Sequence, residues 1–382
     1  MTEWKEYKLG ELIKTNVKSI GRDYPYSKIL YLDTGSITCN NIDSFQEFEL
    51  DKAPSRAKRL VKQDDIIYSS VRPNQLHYGY ITNPQDNLVV STGFVTITCN
   101  KDLLCPKFLY YFLIQSQITE YLHSVAEAST SAYPSLKPSD IEALDIEIPP
   151  LDTQRRIASI LSSLDDKIDL LHRENATLEQ MAETLFRQWF VEESKEEWEE
   201  GKLGDEFNFT MGQSPRGDSF NEEGVGIPMY QGNADFGFRF PTKRVFTTQP
   251  TRFAEPNDTL ISVRAPVGAQ NMATEKCCIG RGVAAFRYKG NSSYYSYTYY
   301  KLKSLLEEIK QFNDNGTVFG SISKSDFENL DIVVPDENTI MSFQQQVKDI
   351  DDKIINNNKE IQTLIQTRDG LLPRLMGGEI KI

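Results

Sequence analysis

Two long stretches of the chain place an apolar residue at alternating steps of four and three positions. The first series runs from Ile157 to Trp189, and a shift of 186 residues leads to a second series from Phe343 to Leu375. This spacing is typical of α-helices that pair in a coiled coil. We therefore predict one coiled-coil helix over residues 151–191 and another over residues 337–376. The seam positions are Ile157, Leu161, Leu164, Ile168, Leu171, Asn175, Leu178, Ala182, Leu185 and Trp189, then Phe343, Val347, Ile350, Ile354, Asn357, Ile361, Leu364, Arg368, Leu371 and Leu375.

The two stretches also share polar residues. Residues 139–168 and 325–354 have 12 identical residues in 30 when compared without gaps. The shared set includes Asp165-Asp166-Lys167-Ile168 and its copy Asp351-Asp352-Lys353-Ile354. Two unrelated helices can share a heptad by chance, but they rarely share polar residues at one fixed offset. We infer an internal duplication.

Each predicted helix needs a partner, because a helix with an apolar face in water is unstable. The partner is either the other helix, in antiparallel orientation, or a helix of another chain. If paired residue numbers sum to 532, every seam position faces a seam position and Asn175 faces Asn357. A buried asparagine pair penalises slipped registers. The alternative is that each asparagine is tolerated near a packing defect and plays no part in the register.

Residues 1–150 have the pattern of a mixed α/β domain. Apolar and β-branched runs predict short strands at 29–32, 65–71, 88–90 and 94–98, a helix at 107–122 and a last strand at 141–150. The chain then starts again after an acidic boundary at 191–202. Lys202-Leu203-Gly204 repeats Lys8-Leu9-Gly10, and Ser262-Val263-Arg264-Ala265-Pro266 repeats Ser70-Val71-Arg72-Pro73. A tyrosine-rich helix at 294–312 takes the place of 107–122, whereas residues 206–256 have no convincing counterpart.

The predicted fold class is α+β, a mixed α/β chain. Two similar globular domains, at 1–150 and 192–336, are joined by two long antiparallel coiled-coil helices, with an internal pseudo-two-fold duplication and a tail at 377–382.

Composition narrows the class of protein. No run approaches 18 consecutive apolar residues and the start has no signal peptide, so we expect a cytoplasmic protein without a membrane partner. The five cysteines lack C-x-x-C spacing and the three histidines stand far apart, which argues against disulfides and metal sites. A net charge of −13 argues against a simple nucleic-acid binder. The excess sits mainly on 151–200, with 6 basic and 13 acidic residues, while 201–334 carry 15 of each.

Motifs of catalysis are not found in the sequence. There is no Asn/Asp-Pro-Pro-Tyr/Phe motif for amino methylation, no phosphate-binding G-x-x-x-x-G-K-S/T loop and no G-x-G-x-x-G opening. We expect a chain that is not an enzyme and binds no cofactor or metal itself.

The layout resembles the specificity subunit of type I restriction-modification systems. The resemblance is carried by the stretch 144–157 leading into the first helix, its copy at 330–343, the two Lys-Leu-Gly openings and the two strand-turns that contain Val71-Arg72-Pro73 and Val263-Arg264-Ala265-Pro266. The second copy departs from the pattern, because Asp336 follows Pro335 where the first has Pro149-Pro150, and Ile340 replaces Gln154, with glutamines displaced to 344–346.

The resemblance implies that each globular domain is a target recognition domain that reads one half of a bipartite double-stranded DNA sequence. It implies that the helices set the gap and dock two methyltransferase subunits, which use S-adenosylmethionine. A separate restriction subunit cleaves DNA in such systems, and the sequence leaves open whether one accompanies this chain.

Under this interpretation, loop residues with planar polar side chains are candidate base contacts. In the first domain these are Arg72, Asn74, Gln75, His77 and Tyr78, with Arg56, Lys58 and Arg59 as phosphate contacts. In the second they are Gln213, Ser214, Arg216, Arg239, Lys243, Arg244, Arg264, Gln270, Asn271 and Arg281. Ser131, Tyr133, Thr317 and Phe319, on the loops before the last strands, are further DNA-binding candidates. For any one of them, an ordinary solvated surface role is the alternative.

Two other functions are compatible with parts of the sequence. A protein-interaction scaffold, with a coiled coil that joins other chains, would explain the acidity but not the duplicated layout. A fragment of a single-chain restriction-methylation enzyme would need a catalytic motif.

Overall fold

The computed structural model describes residues 4–128, 135–313 and 320–382. It divides into two compact units, one formed by Met1–Leu170 with Glu360–Ile382 and the other by Leu171–Lys359. Each unit contains one globular module and a part of each long helix.

The first module begins with β1 and ends with β12, which leads into the first long helix. Its strands are β1 (Lys5–Lys8), β2 (Ile13–Thr15), β3 (Lys28–Leu32), β4 (Ile37–Thr38), β5 (Asn41–Ile42), β6 (Gln46–Glu49), β7 (Ala57–Leu60), β8 (Ile66–Ser69), β9 (Tyr78–Tyr80), β10 (Leu88–Ser91), β11 (Phe94–Cys99) and β12 (Asp145–Ile148). Its helices are α1 (Pro106–Leu113), α2 (Ser116–Glu127) and α3 (Pro138–Glu142). The long helix α4 (Leu151–Arg187) ends in a π-helical turn at Gln188–Glu192.

The second module follows the same plan. Its strands are β13 (Glu199–Lys202), β14 (Phe207–Met211), β15 (Phe220–Asn221), β16 (Ile227–Tyr230), β17 (Val245–Thr247), β18 (Phe253–Ala254), β19 (Thr259–Val263), β20 (Val267–Met272), β21 (Cys277–Ile279), β22 (Val283–Tyr288) and β23 (Asp331–Val334). Its helices are α5 (Leu203–Glu206), α6 (Tyr295–Ser304), α7 (Leu306–Lys310) and α8 (Lys324–Asn329), and the second long helix is α9 (Glu337–Met376).

The two modules have matching sheets. In the first module the strand orders are β2-β11-β8-β9 and β6-β3-β10-β7, and in the second they are β14-β22-β19-β20 and β15-β17-β16-β21-β18. Within these sheets, β3 pairs with β10 in parallel, and so does β16 with β21, while the other neighbours are antiparallel. The duplication therefore includes the topology of the modules.

This topology corrects the expectation that residues 206–256 have no counterpart. The strands β16, β17 and β18 occupy the places of β3, β6 and β7. The similarity is hidden in the sequence because strand pairing is made by backbone groups. Every residue has these groups, so the side chains need to be apolar only where they are buried.

A short two-stranded sheet closes each module. β1 pairs with β12 and β13 pairs with β23, both antiparallel, with ion pairs Lys8–Asp145 and Lys202–Asp331 at matching ends. Gly10 and Gly204, which follow β1 and β13, lie against α3 and α8, the short helices before the last strand of each module. A Cβ on Gly10 would lie 3.1 Å from Glu142 Cβ, and one on Gly204 would lie 3.1 Å from Glu328 Cα. The repeated Lys-Leu-Gly motif thus supplies the ion pair and the close approach.

Three predicted elements differ from those observed. The helix predicted at 107–122 is two helices, α1 and α2, and the tyrosine-rich stretch is divided into α6 and α7. The strand predicted at 141–150 is shorter, because Ile141 belongs to α3 and only Asp145–Ile148 is a strand. Asp140 caps α3 by accepting the backbone N–H of Lys137 at 2.7 Å, which favours the helix there.

The long helices are antiparallel within each unit. In the second unit, Asn357 Nδ2 donates to Asn175 Oδ1 at 2.9 Å, and the rings of Trp189 and Phe343 have centroids 6.1 Å apart. In the first unit, Arg368 binds Asp165 at 2.9 Å. The two asparagines thus face each other; their role in setting the register stays a prediction.

An aspartate in each copy of the duplicated helix attaches the module to the helix. In the first unit, Tyr111 donates its hydroxyl to Asp165 Oδ2 at 2.6 Å. In the second, Tyr300 donates to Asp351 Oδ1 at 3.2 Å. The arginine on each aspartate comes from a different place: Arg368 belongs to α9, whereas the partner of Asp351 belongs to the second module.

A glutamine provides the second shared attachment. Gln154 Oε1 accepts the backbone N–H of Cys105, directly before α1, at 2.8 Å. In the second copy, Gln344 Oε1 accepts the N–H groups of Ser296 and Tyr297 at the start of α6, at 3.0 and 3.3 Å. Ile340, which replaces Gln154, is buried. Because Gln344 lies one helical turn after Ile340, it reaches the same helix start from the same face.

Candidate DNA interface

An open cleft in the second module brings together three of the predicted arginines. Arg264 follows β19, Arg281 precedes β22 and Arg244 precedes β17. The cleft measures about 450 Å³ and is lined by Gln231, Gly232, Asn233, Ala234, Asp235, Arg244, Arg264, Ala265, Arg281 and Gly282. Backbone hydrogen bonds from Val263 to Gly282 and from Gly280 to Tyr230 hold the lining segments together.

The three arginines differ in their ionic partners. Arg244 binds the buried carboxylate of Asp235 at 2.8 Å, and this contact raises the pKa of Arg244. Within the described ranges, Arg264 and Arg281 are exposed and have no carboxylate within ion-pair distance. A guanidinium without a protein partner is available for a phosphate or for the acceptor edge of a guanine.

Glycine lets the cleft segments approach one another. A Cβ on Gly282 would lie 2.1 Å from the carbonyl oxygen of Gln231, which no real side chain can tolerate. Gln231 is exposed on the cleft wall, and so is Asn233. Both amides can read base edges. Neither residue was predicted from the sequence.

Four other predicted residues of the second module do not line this cleft. Gln213 is exposed, and Ser214 Oγ accepts the N–H of Arg281 at 3.3 Å. Arg216 forms an exposed ion pair with Asp218, and Lys243 forms one with Glu275. Exposed ion pairs of this kind contribute about 0–1 kcal/mol, so a DNA phosphate can displace the carboxylate at little cost.

The first module exposes its polar cluster on a turn after β8. Arg72 has a φ of 48° and begins a 3-10 turn at Pro73–Gln75. Arg72, Asn74 and Gln75 are exposed, as predicted for side chains that reach a base edge. Arg72 has no ion-pair partner among residues 4–128, 135–313 and 320–382.

Basic residues of β7 approach the same turn. Ser70 N–H donates to Gly93 O, and Thr92 N–H donates to Arg56 O, both at 2.8 Å, so Arg56 lies on a segment adjoining that turn. Lys58 is exposed, two residues further along the strand. Arg59 is half-buried, and neighbouring strand residues point to opposite faces. Arg56 and Lys58 remain phosphate candidates, whereas Arg59 does not share their face.

A basic position shared by both modules was missed in the sequence. Arg252 is exposed and directly precedes β18, as Arg56 directly precedes β7. The carbonyl of Arg252 accepts the N–H of Ile279 at 3.0 Å, which corresponds to the contact between Arg56 and Thr92. Only the strand order reveals this match.

Two candidates of the first module make contacts within the module. His77 Nδ1 lies 2.6 Å from the carbonyl oxygen of Ile37, on the hairpin formed by β4 and β5. Tyr78 is buried, stacks on Tyr68 and directs its hydroxyl to Cys39 of the same hairpin. The assignment of Tyr78 as a base contact is corrected, since its side chain is buried in the module. His77 is half-buried, and its role as a base contact stays a prediction.

Three candidates of the second module also make contacts within their own unit. Asn271 is buried and bonds both backbone groups of Gly237. Gln270 Nε2 donates to the carbonyl of Tyr299 at 2.7 Å. Arg239 is buried on Asp351. Asn271 and Arg239 are buried and secure the loop between β16 and β17, so they do not face solvent as DNA contacts would. Gln270 is half-buried and binds α6. The remaining candidates, Ser131, Tyr133, Thr317 and Phe319, lie outside the described residues.

The repeated strand-turn is offset by one residue between modules. Val71 forms a backbone bridge with Ser135, and Arg264 forms the matching bridge with Ser321. Arg264 therefore corresponds to Val71, and Arg72 corresponds to Ala265, whose φ of 45° is also left-handed. The sequence motif had aligned the two arginines. In the structure, Arg264 and Arg72 occupy successive positions of the turn, not the same one.

The described ranges contain no group of histidine, cysteine, aspartate and glutamate that could hold a metal ion. No helix in them is both long and apolar enough to span a bilayer.

Comparisons with known proteins agree with this duplicated architecture. The family model described as type I restriction modification DNA specificity domain matches twice, over residues 1–180 and 195–367. The chain is 27% identical to the type I restriction enzyme HindI specificity subunit of Haemophilus influenzae, over the full length of both. It is 28% identical to the putative MjaX specificity subunit of Methanocaldococcus jannaschii, covering 98% of this chain and 90% of that one.

The fold has a counterpart among solved structures. The S subunit of a type I restriction-modification system from M. genitalium superposes with a TM-score of 0.59 at 20% identity, covering 98% of this chain and 96% of that chain. At that identity the likeness concerns the fold alone. Together with the double match of the family model, the duplicated modules and paired helices show that this chain belongs to the family of type I restriction-modification specificity subunits.

Proposed function

We propose that each module of this specificity subunit reads one half of a bipartite DNA sequence. The proposal rests on one observation: the two modules share a topology but expose different side chains near the turns that follow β8 and β19. The first module presents Arg72, Asn74 and Gln75 there, and the second presents Arg264 and Arg281 in a cleft. Two readers with one architecture and different contact residues fit two unlike half-sites.

The basic side chains have distinct tasks in this proposal. Exposed cations such as Arg56 and Lys58 bind phosphates and set the position of the duplex without reading its sequence. Arg72, Arg264 and Arg281 have no competing carboxylate among the described residues, so they are the favoured base contacts. The net charge of −13 is then compatible with DNA binding, because local basic edges attract phosphates while partner subunits supply further positive surface.

The chain itself performs no catalysis in this proposal. Two methyltransferase subunits dock on the long helices and bind S-adenosylmethionine, and this chain binds no cofactor. The helices fix the number of base pairs between the half-sites, and the complex works in the cytoplasm, with or without a restriction subunit. The family match supports a place in a restriction-modification complex. The scaffold hypothesis has no support from the comparisons.

A map of methylated adenines in the source cell tests this function. Deleting the gene should remove methylation from one split motif with a fixed gap, and restoring the gene should return it. The control is a strain that lacks this gene but still produces the methyltransferase subunit, verified by immunoblot. An unchanged map in that strain would contradict the proposal.

A further inference from the structure

We propose that Arg239 is a positioning residue that makes base reading by the second module depend on the long helices. The inference rests on the function proposed above. Arg239 lies in the loop that joins β16 to β17, which also carries cleft residues, yet its side chain leaves the cleft and enters the interior of the second unit.

The guanidinium of Arg239 is held on several sides. Its NH2 group donates to Asp351 Oδ1 of α9 at 2.8 Å, and both side chains are 1% exposed. Its NH1 group donates to the hydroxyl of Tyr300 at 3.2 Å, and its Cζ lies 3.4 Å from the centre of the Tyr299 ring. A planar, charged group in such a site has one orientation available to it.

The contact network reaches both long helices. Tyr299 donates its hydroxyl to Glu179 of α4 at 3.3 Å, and Lys303 binds the same carboxylate at 2.6 Å. Arg239, Tyr299 and Glu179 therefore connect the loop to α4, while Asp351 connects it to α9. A change in the position of either helix within this unit would therefore displace the loop.

The loop transmits this constraint to the cleft through its backbone. The carbonyl of Arg239 accepts the N–H of Met272, and Asn271 bonds both backbone groups of Gly237. Thr242 N–H donates to Asp235 O at 2.8 Å, which joins the two sides of the loop. Asp235 in turn accepts the N–H of Gln231 and binds Arg244. The cleft residues Gln231 and Arg244 are thus connected to Arg239, and through it to α9, by the backbone and hydrogen bonds of one loop.

The first unit shows that the aspartate does not need an arginine from this loop. Asp165 corresponds to Asp351 and binds a tyrosine in the same way, but its arginine is Arg368 of the helix pair itself. The corresponding hairpin of the first module is secured by His77 within its own module. An arginine partner for the carboxylate is therefore available without the loop, although that pair is partly exposed, and the use of the buried Arg239 is a feature of the second module.

The test removes the ion pair without leaving a buried charge. The double variant Arg239→Met/Asp351→Leu replaces both partners with apolar side chains, a change that preserves stability in buried pairs more often than a single removal does. The matched control is Arg368→Met/Asp165→Leu, which removes the corresponding pair in the first unit. Each double variant leaves one tyrosine hydroxyl without its carboxylate, so the two are equivalent in that loss.

The measurement is the methylated motif in cells that carry each variant together with the methyltransferase subunit, with melting temperatures of the purified complexes. Arg281→Ala identifies the half-site that belongs to the second module. We expect Arg239→Met/Asp351→Leu to relax base preference in that half-site by about tenfold, comparable to the loss of a bidentate base contact, and to leave the other half-site unchanged. The control should keep the wild-type motif.

Three results would overturn the inference. One is an unchanged motif in Arg239→Met/Asp351→Leu, and a second is equal relaxation by the control. The third is loss of all methylation at a wild-type melting temperature, which would indicate a general defect of the helices. A wild-type chain that directs no bipartite methylation would instead refute the proposed function, and this inference with it.

Discussion

Two aspartates at matching positions illustrate how single residues were kept or changed after the duplication. Asp165 and Asp351 each hold a tyrosine of the module, so the attachment is retained. The arginine on each carboxylate has a different origin. Removing one partner of a buried pair costs about 3–5 kcal/mol, because the other charge is left unpaired. Once Arg239 was buried on Asp351, it could therefore not be lost without a compensating change, whereas the pair of Arg368 with Asp165 is partly exposed.

The exposed turn of the first module leads to a prediction for two basic residues. Arg72→Ala should relax recognition at one half-site only, since its side chain is exposed beside two amides. Lys58→Ala should weaken binding to all sequences alike and reduce the slope of log affinity against log salt by about one. The measurement is equilibrium binding of the complex to matched and mismatched duplexes at several salt concentrations.

The two variants serve as controls for each other, because both remove one exposed positive charge from the same module. Equal loss at both half-sites for Arg72→Ala would contradict its role as a base contact.

A buried glutamate leads to a prediction of pH dependence. Glu206 accepts the hydroxyl of Tyr297 at 2.5 Å, and burial raises the pKa of this carboxyl. A raised pKa means that the folded chain binds a proton more tightly than the unfolded chain. The stabilisation is therefore complete below the unfolded value of about 4.3 and is lost as pH rises through the folded value.

Glu206→Gln should remove this loss, so that the variant gains stability relative to wild type as pH increases. Denaturant unfolding of the full chain at several pH values measures the difference. Glu200→Gln, an exposed change on β13, is the control and should follow the wild-type curve. Parallel curves for Glu206→Gln and wild type would show that the group is not protonated more readily in the folded state.

At the scale of elements, periodic patterns were predicted well and long-range pairing was not. Every seam position of the two series, Ile157 to Trp189 and Phe343 to Leu375, is buried or half-buried. This was predictable because a single heptad period describes the whole of each helix. The break between α1 and α2 at Ile114 and Gln115 was missed, since no proline or glycine marks it in the sequence. Sheet order was beyond reach as well, because it depends on contacts between distant segments.

The glutamines that attach the modules to the long helices show a further limit of prediction from sequence. The sequence indicated a weakened junction at Ile340, yet Gln344 makes the equivalent contact one turn later. A position-by-position comparison cannot detect a function that has moved along the same face of a helix. Tyr78 and Asn271 were misassigned for a different reason: their polar side chains turn inward to bind a loop, which depends on the three-dimensional packing of the strands.

The facing asparagines give a prediction about helix register. Replacing both Asn175 and Asn357 with leucine should raise the melting temperature, because apolar layers are more stable, and should broaden the register. Bioorthogonal spin labels at Met181 and Asn356, both exposed in the second unit, measure the inter-helix distance. We expect one narrow distribution in wild type and a broader one in the variant.

The control for this experiment is Ile354→Leu, a conservative change in a neighbouring layer. If the double leucine variant keeps a single narrow distance, as the control should, the asparagine pair does not set the register.

At the scale of the whole molecule, the duplication was readable from the sequence and the interface was readable only in part. Twelve identities in 30 residues revealed the repeated frame. Arg264 and Arg281 were identified as candidates, but Arg252, Gln231 and Asn233 required the strand order. Frame residues are constrained by packing in both copies. Apart from Arg56 and Arg252, the candidate interface residues differ between the copies, so the comparison of the two halves carries little signal for them.

The closing strands of the modules have a consequence for inheritance. β1 pairs with β12 and β13 pairs with β23, so the chain enters and leaves each module at one place. A longer or shorter insert between such strands adds little to the entropy of closing the loop. Genetic exchange with breakpoints at these strands would thus join a complete new module to unchanged long helices. A single crossover could give the descendants of a cell a new DNA sequence to mark as their own.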